Sequence, residues 1–189
     1  QQTFDLAKAK TSMPDDVVKK HLETTNYNLE KTLKLLFDEK YTITERILLN
    51  INNKEKALSN IQYAIEVDDN LKRNFWLDIE VIKKLNQDRY CIVIVCEWLN
   101  YEDWEGFLPA ICSSFCERAI GQIEKELNMP HMAKILSEAY TICDKYYSTK
   151  RAILETPDID IQNTYFYQHR KEIIDKLHSF VETNIKYFP

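Results

Sequence analysis

Five cysteines and four histidines are the side chains of this 189-residue chain best suited to metal or nucleophilic chemistry. Cys91 and Cys96 bracket the apolar run "CIVIVC", Cys112 and Cys116 ("CSSFC") stand about one helical turn apart, and Cys143 is alone. Four thiolates drawn from the two pairs would make a zinc site. Structural zinc, however, favours paired cysteines on loop knuckles, and these cysteines fall within apolar stripes. Cys is among the most often buried residue types, so packing is the better reading. Five thiols cannot all pair within one chain. They read as reduced, buried groups of an intracellular protein, cytoplasmic or nuclear. A catalytic thiolate would need a neighbouring His in an exposed, electropositive setting. None of His21, His131, His169 and His178 is placed by the sequence to supply it. No inward Glu-x-x-His pair is present for a di-iron bundle. The paired acids Asp15-Asp16 and Asp68-Asp69 fall at expected helix ends, where capping and the helix dipole account for them. The expectation is therefore no catalytic residue, no cofactor and no metal.

The aromatic residues are more suggestive. Trp98 and Trp104 flank "NYED" and form a dense corner with Tyr101 and Phe107. They either staple two helices together or line an exposed groove for a partner helix, because Trp and Tyr are enriched at interface hot spots. Trp98 and Trp104 are thus candidate partner contacts. The last apolar segment carries Tyr165, Phe166, Tyr167, Tyr187 and Phe188, more aromatic surface than one helix face can bury. A partner or a continuation of the chain is expected to cover part of it.

Composition narrows what can position these residues. The formal charge of −5 and the absence of a basic block argue against nucleic acid. No uncharged apolar stretch approaches the roughly 20 residues of a membrane helix, which argues against a membrane-embedded protein. With Gly106 and Gly121 as its two glycines, the chain can build neither a phosphate-cradling loop nor a dinucleotide turn. Hairpin-rich folds are disfavoured for the same reason. Scarce glycine and long 3/4-spaced apolar patterns together predict an all-α protein.

Helix signals recur along the chain. Ser12 and Asn28 are N-cap candidates, and Thr42 with Glu45 forms a capping box. Ala57, Leu58, Ile61, Ala64 and Ile65 share one face, and Leu71, Phe75, Ile79, Ile82 and Leu85 another. "YCIVIVCEWLN" favours a strand by propensity. A lone strand would leave its backbone unpaired, so the segment is read as a buried helix of about eleven residues, capped by Asp88 and ending near Asn100. A continuous pattern runs from Phe107 to Leu127, another follows Pro130, and "ETPDIDIQN" is a loop before a last helix over about 164–187.

Residues 21–37, "HLETTNYNLEKTLKLLF", resemble the second half of a ubiquitin-associated (UBA or UBA-like) module. Leu22 matches the end of its second helix, "TTNYN" the loop, Leu29-Glu30 the start of its third helix, and Leu35, Leu36 and Phe37 its end. The resemblance implies a three-helix bundle whose core takes in Phe4, Leu6, Val17 or Val18, Leu22, Leu29, Leu33 and Leu36. It also implies an apolar patch around Met13, Leu35 and Phe37 that meets ubiquitin. His21 and Thr32 depart from the family's alanines, which would set the helices further apart, and Thr11-Ser12-Met13 lacks the family's glycine. Residues 44–189 resemble no family.

These observations give two expected domains. A UBA-like three-helix module (1–41) precedes a larger helical bundle or short α-solenoid-like domain (42–189). The expected function is a non-catalytic interaction module or scaffold with a protein partner, ubiquitin being the one the resemblance implies. Two alternatives stand beside it. One is a structural subunit with the small bundle packed intramolecularly. The other is the non-catalytic region of a larger ubiquitin-pathway enzyme such as a deubiquitinase. Oligomeric state is not legible.

Overall fold

The 3/4-spaced apolar residues form helices throughout. Eleven α-helices and no β-strand occur among the described residues of the computed structural model, which are 1–73, 77–149 and 156–189. The backbone divides into two compact units, Gln1–Asn50 and Ile51–Pro189.

In the smaller unit, α1 (Gln2–Thr11), α2 (Asp15–Thr24) and α3 (Leu29–Lys40) pack on one another, and α4 (Ile43–Asn50) follows. Asn28 caps α3, its Oδ1 accepting from Lys31 N at 3.0 Å. Thr42 and Glu45 form the reciprocal capping box of α4, at 3.2 and 2.7 Å. Ser12 does not open a helix. It closes α1 in the left-handed region (φ 55°), and Pro14 takes the position before α2. The core is Ala7, Val18, Leu22 and Leu36, flanked by Phe4, Met13, Val17, Leu29 and Leu33. Leu6 is 43% exposed, and the small Ala7 faces inward in its place. Thr32 is fully buried at no polar cost: its hydroxyl donates to Asn28 O (2.7 Å) and meets Thr25 Oγ1 (2.6 Å).

The larger unit contains α5 (Lys54–Asp68), α6 (Ile79–Ile82), α7 (Gln87–Glu105), α8 (Phe107–Ile111), α9 (Cys116–Lys125), α10 (Pro130–Thr149) and α11 (Asp160–Thr183). A 3-10 turn at Ile185–Tyr187 ends it. α7 is the central element, packed against α5, α6, α8 and α9, while α10 packs on α9 and α11, and α11 on α5. Every residue from Cys91 to Leu99 is buried. The Ile/Val run is therefore helical because tertiary burial on all sides overrides its strand propensity. The helix is longer than the sequence suggested. Asn86 caps it instead of Asp88, accepting from Arg89 N at 2.9 Å, and Gly106 at φ 90° ends it five residues beyond Asn100.

Two other expected helices differ. Of the Leu71–Leu85 stretch, Ile79–Ile82 is helical, opened by Asp78 Oδ1 accepting from Glu80 N at 2.8 Å; Phe75 lies outside the described residues. The Phe107–Leu127 pattern breaks at 112–115, and the cause lies at one carbonyl. In a continuous helix the Ala110 carbonyl would accept from the N–H of Ser114. Here it accepts from the Trp98 indole (3.0 Å), the Ser113 hydroxyl (2.7 Å) and the Ser113 N–H (3.2 Å), a tighter turn that leaves no acceptor for Ser114. The last helix begins earlier than expected, at Asp160, which shortens the loop before it.

Candidate binding groove

The larger unit buries charge as well as apolar surface. Gln62 and Glu66 lie one turn apart on α5, and Glu97 and Asn100 on α7 face them. Glu97 is 1% exposed and Glu66 8%. Two carboxylates at that depth need a counter-charge, and Arg73, from the segment after α5, supplies it. Its guanidinium fork is bidentate to both. Nη1 and Nη2 donate to Glu97 Oε1 and Oε2 at 2.9 and 2.7 Å, while Nε and Nη2 donate to Glu66 Oε2 and Oε1 at 3.0 and 2.5 Å. The Gln62 amide donates to both carboxylates, at 3.1 and 2.9 Å, and its oxygen accepts from Asn100 Nδ2 at 3.3 Å. The hydrogen bonds it donates to Glu66, and then to Glu97, hold Arg73 well above the ordinary guanidinium range, against the opposing pull of burial. Burial and the adjacent Glu97 likewise push the Cys96 thiol up to about 12.

This network floors a groove of about 660 Å³. Ser59 and Tyr63 of α5 form one wall, and Trp104 and Glu105 at the end of α7 the other. Trp104 is 85% exposed and Tyr63 67% exposed, and Val67, one turn along α5 from Tyr63, is 61% exposed. These are large apolar groups held in water by a rigid scaffold. Trp98 is the opposite case: fully buried, with its ring edge-on to Phe166 at 5.5 Å, it staples α7 to α11 and offers nothing to a partner. The groove reading made from the sequence is therefore corrected for Trp98. Met13, Leu35 and Phe37 belong to the smaller unit and are each half-buried, Met13 against the core and Phe37 against Tyr41 at 5.0 Å. Of the surplus aromatics at the C-terminal end, Phe166 and Phe188 are buried, whereas Tyr167 and Tyr187 remain 51% and 42% exposed.

A second charged cluster lies along the same helices. Arg170 of α11 donates to Glu102 Oε2 (2.9 Å) and Asp103 Oδ1 (2.6 Å) on α7, and also pairs with Glu55 of α5. Glu102 is buried and accepts from Tyr167, and burial together with that bond pushes the Tyr167 phenol up to about 12. Arg89 is bound in the same manner, by Asp68 and Asp69 at 2.6 Å each. Three arginines are thus each clamped by two or three carboxylates, which ties α5, α7 and α11 together.

All five cysteines are free, and four are buried. Cys112 is exposed, because the break between α8 and α9 turns it out of the stripe that was to bury it. Among the described residues no group of three or more His, Cys, Asp and Glu is arranged to hold a metal ion, and no helix is long and apolar enough to cross a membrane. Thiol labelling of the native protein is expected to show one fast site, Cys112, and four that react on unfolding. Loss of the fast phase in Cys112→Ser checks the assignment, and a second fast thiol in that variant would refute it.

The chain can now be placed among known proteins. The model of the YfbN C-terminal domain family matches residues 42–186. The chain is 29% identical to "Uncharacterized protein YfbN" of Escherichia coli (strain K12) over 98% of its own length and 79% of that protein's. No solved structure matches it. These matches overturn the ubiquitin-associated resemblance at the N-terminus. That stretch falls within a similarity to YfbN running through nearly the whole chain, and residues 44–189, which resembled nothing, lie almost wholly inside the family model. The physical reason for the mistaken likeness is generic. Any three short helices closing a small core place paired leucines at the end of the third, so the spacing reports the packing problem and not the family.

Proposed function

The chain belongs to the YfbN C-terminal domain family, and we propose from that premise that it is a non-catalytic protein-interaction module whose contact surface is the groove between α5 and α7. The observation that carries this reading is the exposure of Trp104 at the groove's mouth, opposite Tyr63. Large aromatic side chains lose little conformational entropy on binding and contribute most of the energy at interface centres. A surface otherwise has little reason to hold Trp104 and Tyr63 beside one groove in water. The polar floor favours binding over chemistry. Glu66 and Glu97 spend their oxygens on Arg73 and Gln62, which leaves neither free to serve as a general base.

The reading predicts site-specific crosslinking in the full-length protein. A photoreactive residue at position 63 is expected to give one discrete adduct in cells, and the same residue at the exposed position 124 of α9 none. The adduct at 63 should disappear when Trp104→Ala is added. Equal adducts at both positions, or an adduct indifferent to Trp104, would sink the proposal.

A further inference from the structure

We infer that the occupant of this groove is a cationic segment of a partner protein, one that presents an arginine or lysine beside an apolar residue. This inference rests on the groove being a contact surface and adds what that surface selects. Volume sets the scale. About 660 Å³ holds a few side chains and not a folded domain, so the occupant is a protruding segment.

Charge then sets the sign. Glu66, Glu97 and Glu105 line the groove against Arg73, a formal excess of two negative charges. Arg73 neutralises no more than one of the two deeply buried carboxylates it binds. An incoming cation relieves the remainder, whereas a phosphate or an acidic peptide adds like charge to a poorly solvated site. Arg73 already fills the space between Glu66 and Glu97, so the incoming cation meets the exposed Glu105 and feels the buried pair through space.

The aromatic wall completes the match. The face of an indole attracts ammonium and guanidinium groups, and Trp is the strongest of the aromatic residues in this respect. At 85% exposure Trp104 has that face available. Tyr63 on the facing α5 wall provides the apolar contact beside the cation.

Three short peptides that differ only in charge test the inference against the full-length protein. One alternates arginine with leucine, one glutamate with leucine, and one serine with leucine. Nitrogen-15 spectra report on the Trp104 indole N–H and on the Gln62 and Asn100 side-chain amides. The arginine peptide is expected to move all three, and raised salt should weaken it as exposed charges are screened. Trp104→Ala should weaken it about tenfold, the cation–π and apolar contributions together. Glu105→Lys should abolish saturation, while Glu124→Lys, a charge reversal of the same size on α9, should change little. Both groove positions are exposed, so these variants keep the fold.

If the serine peptide binds at the groove as tightly, the charge inference falls and the contact surface stands. Binding of the arginine peptide that ignores both groove variants would place it elsewhere on an acidic protein and overturn the inference. Failure of the arginine peptide to saturate at millimolar concentration would overturn it too. The crosslinking at position 63 judges the underlying reading separately.

Discussion

Arg73→Ala is expected to destabilise the larger unit by about 3 kcal/mol, the lower end of the range for removing one member of a buried ion pair. The reason lies in what is left behind. Glu97 is 1% exposed and Glu66 8% exposed, and without the guanidinium they confront each other with only the Gln62 amide between them. The Arg73 side chain itself is 37% exposed, so water enters the vacated space and limits the loss. Against a typical total of about 5–15 kcal/mol, such a loss is readily measured as a shift in the urea midpoint. Arg73→Lys should recover only part of it, because one ammonium cannot reproduce two bidentate forks. The informative control replaces the charged triad and the buried amide that serves it, by Arg73→Met, Glu66→Leu, Glu97→Leu and Gln62→Met together. Apolar replacement of a buried triad is often neutral or stabilising, so this variant should be at least as stable as the natural chain. If Arg73→Ala costs nothing, the three side chains are solvated and the groove has no charged floor.

That network was the least legible part of the molecule. Arg73 is seven positions from Glu66 and twenty-four from Glu97, and it falls in a stretch whose periodicity suggested one long helix, of which Ile79–Ile82 is helical among the described residues. One signal was nevertheless available. Glu97 stands inside a run that must be buried on every side, and a carboxylate there requires a cation from somewhere else in the chain. The helices were far easier to read, since 3/4 spacing and the capping residues Asn28 and Thr42 are local properties. The break at 112–115 was invisible for the opposite reason. It depends on the Trp98 indole reaching the Ala110 carbonyl, twelve residues away. The resemblance at the N-terminus failed in yet another way, because a pattern set by the packing of a small three-helix core cannot distinguish the families that share it.

The two tryptophans show how little additional reasoning would have separated core from surface. Six residues along an α-helix amount to about 600° of rotation, which places Trp98 and Trp104 roughly 120° apart around the α7 axis. Within the run through Leu99, buried on every side, Trp98 is inside whatever its azimuth, whereas Trp104 lies beyond that run and falls on the exposed side of the last turn. Trp98→Ala is accordingly the second large effect, a loss of about 3–5 kcal/mol typical of emptying a fully buried aromatic site. The void would open beside Phe166, which is also stacked on Phe107 at 5.0 Å, so α7, α8 and α11 would all lose contact at once. The Ala110 carbonyl would lose its indole donor but keep the Ser113 hydroxyl, which confines the damage mainly to packing. Trp98→Phe should therefore cost less, roughly 1–2 kcal/mol, retaining most of the volume and losing the hydrogen bond. Thermal unfolding reads both, with a fall of about 10 °C expected for the alanine variant. Trp104→Ala should leave the same transition within about 0.5 kcal/mol of the natural chain, as surface substitutions do. A comparable loss at both positions would mean that Trp104 is packed and not presented, and the groove would lose the residue on which its binding role depends.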